Sequence, residues 1–281
     1  MATSAMTIDQ HTELYGVVGY PIGHSLSPIM HNAGFSAMDL NAIYLAFETK
    51  DIEGCIQGMR ALNIRGMSVT LPHKSSVISL LDEVDDMARR IGAVNTVVNE
   101  DGHLIGYNTD AVGALRALEE RMELAGKSCL MIGAGGAARA IGFVLSEKGV
   151  NLRVANRSIE RGKALARSLE CPFISLDALQ EPVADLLIQT TPVGMMPRKE
   201  ECPVPKQILR KGMVVMDIIY NPLETTLLSM ARAQGCMAIN GLSMFVYQGA
   251  EQFRLWTGLE APISAMTRAV EKALEKNRRG D

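Results

Sequence analysis

The chain has 281 residues, a formal net charge of −3 and a hydrophobic fraction of 47%. Its charges are scattered, which argues against a nucleic-acid-binding protein or a protein held on an anionic membrane surface. The five cysteines are widely spaced and odd in number, which is typical of free thiols in a reducing compartment. Since it has neither a signal-peptide pattern nor an apolar run long enough to cross a bilayer, we expect a cytoplasmic protein with one or two α/β domains.

Short apolar runs alternate with helical patterns over the first hundred residues. They predict strands at 15–19, 43–47, 66–70, 96–99 and 104–106, and helices at 28–38, 50–62 and 75–91. Glu100-Asp101-Gly102 is a hairpin-like turn between the last two strands. The alternation predicts a largely parallel sheet with both faces covered.

A second series of elements follows a long helical pattern at 110–124. Strands are predicted at 128–132, 151–155, 173–175, 186–189, 214–218 and 237–239. Two final helices, at 244–257 and 262–277, have no strand after them. They must pack on one of the two sheets, and the pattern leaves open which one.

A glycine-rich turn lies between the apolar strand at 128–132 and an amphipathic helix. It has the pattern G-x-G-x-x-A, which in this context is typical of a dinucleotide-binding unit. Its residues are Gly133, Ala134, Gly135, Gly136, Ala137 and Ala138. The helix N-terminus would offer N–H groups to a pyrophosphate. A strand–helix–strand unit that only needs a tight turn is the less favoured alternative.

The residues after the next strand indicate which dinucleotide binds. An NAD site usually has an acidic residue here, whereas this chain has Asn156, Arg157 and Ser158, with Arg161 one helical step further. A guanidinium suits a 2′-phosphate, and a basic residue is unfavourable in the first turn of a helix. We therefore predict NADP as the cofactor; an ordinary solvated arginine pair is the alternative.

Three other segments carry chemically useful side chains. Ser25 and Ser27 precede a predicted helix, where they would bind an anion, although Ser27 would equally serve as a helix cap. Lys74 follows the end of a strand, as ligand-binding residues of open α/β sheets do. Asp110 would cap the long helix, which gives it a structural reason as well. No histidines and cysteines have metal-ligand spacing, so no metal is expected.

Taken together, these segments resemble the shikimate dehydrogenase family over nearly the whole chain. The motifs that carry the resemblance stand in the family's order: Ser25-x-Ser27-Pro28, Ser68-Val69-Thr70-x-Pro72-His73-Lys74, Gly92-Ala93-Val94-Asn95-Thr96, Gly106-x-Asn108-Thr109-Asp110, Gly133-Ala-Gly-Gly-Ala137, Asn156-Arg157-Ser158, Thr190-Thr191-Pro192-x-Gly194-Met195, Asp217-x-x-Tyr220-x-Pro222 and Gly241-Leu242-x-Met244 with Gln248. Each motif is weak alone, whereas nine in order are specific.

The resemblance implies an α/β fold with two domains around a cleft. Residues 1–109, completed by 241–281, would form a mainly parallel αβα substrate-binding domain, and residues 110–240 a Rossmann-type NADP-binding domain. The implied reaction is the reversible reduction of 3-dehydroshikimate to shikimate by NADPH, in the biosynthesis of aromatic amino acids. The protein would act on this small molecule as a monomer or a homodimer.

The family's functional residues map onto matching positions of this chain. Lys74 and Asp110 would form the catalytic pair, and Ser25 and Ser27 would hold the substrate carboxylate. The rest of the substrate pocket would comprise Ser68, Thr70, Asn95, Tyr220 and Gln248. The cofactor would meet Gly133 to Ala137, Asn156, Arg157, Ser158, Arg161, the backbone near Ile218 and Gly241, and Asp86.

The chain departs from the family's commonest pattern at a few positions. Ser68 stands where many members have Asn and reaches less far, Ser158 replaces Thr, and Gln189 replaces a frequent Asn. The alternatives are a quinate/shikimate dehydrogenase of broader specificity, a relative acting on an amino-substituted analogue, and a non-catalytic nucleotide-sensing relative. Serine at both 25 and 27, and arginine at the cofactor end, favour shikimate with NADP.

Overall fold

The computed structural model describes residues 8–180 and 184–279. These residues form two compact units. The first comprises the chain up to Thr109 together with the chain from Gln248 onward, and the second comprises Asp110–Tyr247. No helix among the described residues is long and apolar enough to cross a membrane.

The first unit contains a mixed sheet covered by helices. Its strands lie in the order β2-β1-β3-β5-β6-β4, with β5 antiparallel to both β3 and β6 and the other pairings parallel. Asp101 and Gly102 turn the β5–β6 hairpin with positive φ angles of 50° and 95°. The elements are β1 (Glu13–Gly19), α1 (Ser27–Ala37), β2 (Ala42–Glu48), α2 (Ile52–Ala61), β3 (Gly66–Val69), β4 (Glu83–Val84), α3 (Asp86–Ile91), β5 (Thr96–Glu100) and β6 (His103–Tyr107).

The second unit is a parallel sheet with helices on both faces. The strand order is β12-β11-β10-β7-β8-β9, and every pairing among the described residues is parallel. The elements are α4 (Thr109–Glu119), β7 (Ser128–Ile132), α5 (Gly136–Glu147), β8 (Asn151–Asn156), α6 (Ile159–Ser168), β9 (Phe173–Ser175), β10 (Leu186–Gln189), β11 (Val214–Asp217), α7 (Thr226–Ala233) and β12 (Met237–Ile239). The order places β7, with its glycine turn, beside β10 at the centre.

The prediction of one helix over 75–91 is wrong for most of that segment. The segment forms a 3₁₀ turn at Ser76–Leu80, the short strand β4 and then α3. The carboxylate of Asp82 accepts a hydrogen bond from the Leu104 N–H at 2.7 Å, which ties the segment to the sheet. Asp85 then starts α3 by accepting the Met87 N–H at 3.0 Å. Two aspartates thus interrupt an apolar spacing that resembles one helix.

The helix predicted at 110–124 also ends early, at Glu119. Leu124, beyond its end, is buried in the same apolar cluster as Ala114 and Leu118. The apolar spacing therefore continues past the helix because the following turn packs against the same core.

The two final helices are α8 (Gly241–Thr257) and α9 (Ile263–Arg279). In α8, the Trp256 indole N–H donates to the Val97 carbonyl at 3.0 Å, and a Cβ on Gly66 would overlap the Trp256 ring. In α9, Met266 lies against Gly34 of α1. These contacts place the end of the chain in the first unit. The chain re-enters the first unit inside α8, at Gln248, whereas the sequence predicts this boundary at residue 241.

His31 is a fully buried histidine in the first unit. Its ring stacks on Tyr44 with 4.5 Å between the ring centroids, and Nε2 lies 3.2 Å from the Gln252 Oε1. Burial lowers the pKa of His31 from 6.5 to about 3, and the hydrogen bond to Gln252 opposes that fall. The neutral ring is thus the form that the fold accommodates.

Because the folded pKa of His31 lies below the unfolded value, stability is fully present above pH 6.5 and is lost as the pH falls toward 3. We expect this group to lower the free energy of unfolding by about 4 kcal/mol across that window. His31→Phe keeps a stacking ring without the titration, so urea titrations should show a shallower acid dependence than the unmodified chain. The same substitution at exposed His11 is the control. An equally steep loss in His31→Phe would contradict the assignment.

Candidate active site

The glycine turn of the second unit lies at the carboxyl end of β7. Gly133 has a φ angle of 117°, and its N–H donates to the Ala155 carbonyl at 2.8 Å. A Cβ at Gly133 would overlap the side chain of Thr190. Both the backbone angle and the packing therefore require glycine at position 133.

At Gly135, unlike Gly133, neither the backbone angle nor the packing requires glycine. Its φ angle of −89° suits any residue, and a Cβ there would meet no heavy atom of the described residues within 4 Å. It is the N-cap of α5, where unpaired N–H groups lie. Nothing in the described fold requires glycine at this position, so a pyrophosphate approaching the helix N-terminus fits the turn.

The end of β8 carries the residues predicted to select the dinucleotide. Asn156 donates from Nδ2 to the Ser158 carbonyl at 2.8 Å, and Ser158 caps α6. Arg157 and Arg161 are both exposed. Within the part of the chain that the structure describes, neither arginine forms an ion pair. The two guanidinium groups are thus available to an anionic ligand.

The end of β11 is organised by a buried carboxylate. Asp217 accepts the Thr225 hydroxyl at 2.8 Å and the Ile219 N–H at 3.1 Å. Burial raises the pKa of Asp217 to about 6. The Gly241 N–H donates to the Ile219 carbonyl at 3.0 Å, and a Cβ on Gly241 would overlap the backbone of Ile218. The loop after β11 and the start of α8 are therefore in direct backbone contact.

Tyr220, predicted in the substrate pocket, lies in this loop. Its ring stacks on Phe245 of α8, with 4.4 Å between centroids and 24° between planes. Tyr220 is half-buried, so part of its side chain faces solvent.

Ser25 and Ser27 lie at the start of α1 in the first unit. Ser27 is buried, Ser25 is half-buried, and the Ser27 N–H donates to the Ser25 Oγ at 3.3 Å. The alternative that Ser27 caps the helix is wrong, because Leu26 occupies the cap position and makes no side-chain cap bond.

Lys74 lies in the turn after β3. The turn is held by the Thr70 carbonyl, which accepts the His73 N–H at 2.9 Å, and by the Lys74 carbonyl, which accepts the Val94 N–H at 2.8 Å. The His73 ring lies 2.8 Å from the Thr49 carbonyl. The backbone on both sides of Lys74 is thus fixed, and its side chain is half-buried.

Asn95 and Asp110 are connected through Thr109. The Asn95 Oδ1 accepts the Thr109 N–H at 2.7 Å, and its Nδ2 donates to the Thr109 Oγ1 at 3.0 Å. Asp110 is buried in the first turn of α4, not at the cap position expected from the sequence. A carboxylate is favoured in that turn by the helix dipole.

The remaining predicted residues differ in their surroundings. Ser68 is buried in β3, and Gln248 is buried on α8. Asp86 is exposed on α3, with its carboxylate 3.8 Å from the Arg89 guanidinium. Sequence reasoning overlooked Gln252, one turn after Gln248 on α8, whose amide contacts Ser68. Its spacing of four residues from Gln248 was the available signal.

Three family models match the chain in order. They are the shikimate dehydrogenase substrate binding domain over residues 17–97, shikimate / quinate 5-dehydrogenase over 115–219, and the shikimate 5′-dehydrogenase C-terminal domain over 241–271. A shikimate dehydrogenase (NADP(+)) of Pyrococcus furiosus is 51% identical over 93% of this chain and 96% of its own. The chain belongs to the shikimate dehydrogenase family. The resemblance predicted from the motifs is confirmed.

Solved structures of the family share the fold. A shikimate dehydrogenase in complex with NADP+ has a TM-score of 0.92 and 44% identity, covering 95% of this chain and 98% of its own. The enzyme of Thermus thermophilus in complex with NADP(H) and shikimate has a TM-score of 0.87 and 38% identity, covering 93% and 99%. The predicted two-domain α/β fold is thus confirmed.

The same fold also occurs with another named activity. Quinate dehydrogenase from Corynebacterium glutamicum in complex with NAD has a TM-score of 0.87 and 32% identity, covering 93% of this chain and 99% of its own. Fold alone therefore leaves the polyol and the cofactor to be decided by side chains.

Proposed function

We propose that this protein is a shikimate dehydrogenase that reversibly reduces 3-dehydroshikimate to shikimate with NADPH. The observation that carries the proposal is the 51% identity with a shikimate dehydrogenase (NADP(+)) over nearly the whole of both chains. Two features of the described residues suit a phosphorylated dinucleotide: the open position at Gly135, and Arg157 and Arg161, which form no ion pair with any described residue.

Lys74 and Asp110 form the catalytic pair in this proposal. Reduction of a ketone leaves negative charge on its oxygen, and the Lys74 ammonium supplies the proton there. Asp110 holds the lysine and the hydroxyl in line. A positioned acid–base group of this kind contributes about 10²–10⁴-fold to the rate. NADPH supplies the hydride when bound.

The other proposed roles follow the resemblance. Ser25 and Ser27 bind the substrate carboxylate, and Ser68, Thr70, Asn95, Tyr220 and Gln248 complete the pocket. Gly133 to Ala137 hold the pyrophosphate, and Asn156, Arg157, Ser158 and Arg161 hold the 2′-phosphate. The backbone near Ile218 and Gly241 meets the nicotinamide, with Asp86 on the cofactor side. We further propose a cytoplasmic protein that is a monomer or a homodimer.

The direct test is shikimate-dependent formation of NADPH by the purified protein, followed by absorbance. Quinate with NADP, and both polyols with NAD, are run beside it. We expect shikimate with NADP to give the highest kcat/KM. Equal use of quinate or of NAD would favour the broader quinate/shikimate enzyme, and no turnover of either polyol would contradict the proposal.

The two glycines of the turn give a matched pair of variants. We expect Gly135→Ala to raise the KM for NADP at least about tenfold without loss of stability, because its Cβ would stand only where the pyrophosphate approaches. Gly133→Ala should instead lower the free energy of unfolding by about 1–3 kcal/mol or more, since the φ angle and Thr190 both oppose a side chain. Urea unfolding and KM for NADP separate the two. Normal NADP binding by Gly135→Ala would contradict this assignment.

A further inference from the structure

A buried hydrogen-bonded network crosses the first unit between the sheet and helices α1 and α8. Its central member is Gln252, which is 2% exposed. The members are His31, Tyr44, Ser68, Asn95, Thr96, Thr109 and Gln252. These bonds join side chains to one another and are not part of the backbone hydrogen bonding of any helix or strand.

The orientation of the Gln252 amide is determined by its neighbours. Nε2 donates to the Thr96 Oγ1 at 3.0 Å and to the Asn95 carbonyl at 3.3 Å. Oε1 faces the Ser68 hydroxyl at 2.9 Å and the His31 Nε2 at 3.2 Å. A flipped amide would put its oxygen against the Asn95 carbonyl, which only accepts. The amide therefore has one orientation, and it makes His31 Nε2 the protonated nitrogen.

The Gln252 amide is linked to Asn95 through the hydroxyl of Thr96. Because the Thr96 Oγ1 accepts from Gln252, its own proton is left for the Asn95 Oδ1 at 2.9 Å, with the Thr109 Oγ1 at 3.2 Å as the other acceptor in reach. The same Oδ1 accepts the Thr109 N–H at 2.7 Å. Thr109 is the first residue of α4, and the next residue in the chain is Asp110. Gln252 is thus connected by two side chains to the residue that precedes the proposed catalytic aspartate.

The orientation also uses the proton of Ser68. A carbonyl oxygen cannot donate, so Ser68 must donate to the Gln252 Oε1, and it accepts from the Tyr44 hydroxyl at 2.6 Å. A carboxylate only accepts hydrogen bonds, and Ser68 has no second proton to offer it. The proton of Ser68 is therefore committed to the network, and the serine can meet the substrate only as an acceptor from a hydroxyl group.

We propose that Gln252 is a positioning residue that, through Thr96 and Asn95, holds the start of α4 in place for Asp110. This rests on the proposed function for the role of Asp110. It also gives the Ser68 hydroxyl a role in the network, where its proton supports Gln252.

The test compares two variants of α8 in steady-state assays with shikimate and NADP. Gln252→Met keeps the length of the side chain but removes its polar atoms, and we expect kcat/KM for shikimate to fall about 10- to 100-fold. Trp256→Phe is the control, because it removes another hydrogen bond from α8 to the sheet, to Val97, and keeps an aromatic ring beside His31 and Tyr44. The KM for NADP should stay within about twofold in both. Equal losses in the two variants would overturn the proposal, since they would show a general effect of helix docking.

A double-mutant cycle tests the connection through Thr96. Thr96→Val removes the hydroxyl, and its effect on kcat/KM should not add to that of Gln252→Met, because both break one chain of bonds. Additive effects would overturn the proposed route. If Gln252→Met does not fold, Thr96→Val alone must still give the loss in kcat/KM.

A measurement independent of turnover separates this proposal from the proposed function. The side-chain NH₂ signals of Asn95, assigned in NMR spectra with Asn95→Asp, should shift in Gln252→Met and stay in place in Trp256→Phe. Unchanged signals in both would overturn the positioning role even if the enzyme is active. A shift in a protein that does not oxidise shikimate would preserve the network and contradict only the function.

Discussion

Lys74→Ala is expected to lower kcat for shikimate about 10²–10⁴-fold while substrate binding is largely retained, because the variant loses the acid–base group but keeps the rest of the pocket. The turn that carries Lys74 is held by backbone bonds, at Thr70 and Val94, which the substitution leaves intact. Steady-state kinetics, together with shikimate binding by calorimetry, measure the two parts separately.

The matched control is Lys50→Ala, at a lysine of the same unit that lies 4.4 Å from the centre of the Tyr20 ring. It should turn over shikimate like the unmodified protein. Turnover near the unmodified rate in Lys74→Ala would contradict the catalytic assignment. A loss confined to shikimate binding would make Lys74 a binding residue only.

Arg157→Ala is expected to reduce the preference for NADP over NAD about tenfold. A charge-assisted bond to phosphate contributes about 1.5–3 kcal/mol, and exposure of this guanidinium to solvent places its contribution near the lower end. The effect should appear as a higher KM for NADP with little change for NAD, because only NADP carries the 2′-phosphate.

Arg167→Ala provides the comparison, since Arg167 lies in the last turn of the same helix, α6. It should leave the ratio of kcat/KM for the two cofactors unchanged. If Arg157→Ala also leaves that ratio unchanged, Arg161 or the backbone selects the cofactor. If the unmodified protein uses NAD as well as NADP, the charge argument itself is wrong.

The second unit was predictable because its signals are local. The strand before Gly133, the helix after it and the strand at 151–156 follow one another within about thirty residues, so periodicity and glycine spacing were enough. Arg157 could be interpreted because its position after that strand has a known geometric meaning.

The first unit was harder to predict wherever its secondary structure and strand pairing depend on contacts between residues far apart in the sequence. The segment 75–91 breaks at β4 because Asp82 bonds to a strand more than twenty residues away. The mixed sheet likewise depends on β5 pairing with β3 across the intervening turn and helix. Ser68 and Gln252 are 184 residues apart, so no sequence spacing could have indicated their bond.

Gly241, packed against the Ile218 backbone, is a glycine that the fold requires, whereas Gly135 is one that only the approach of a ligand would require. The two should therefore behave differently under selection. In a library of variants sorted only for cellular abundance, position 241 should remain glycine, because any side chain would separate the loop after β11 from α8. Position 135 should accept alanine in that sort, but the alanine variants should disappear when the library is sorted again for growth that needs the enzyme. A glycine that is invariant among relatives therefore does not by itself mark the cofactor site. A glycine that can be replaced without loss of abundance, but not without loss of activity, does mark it.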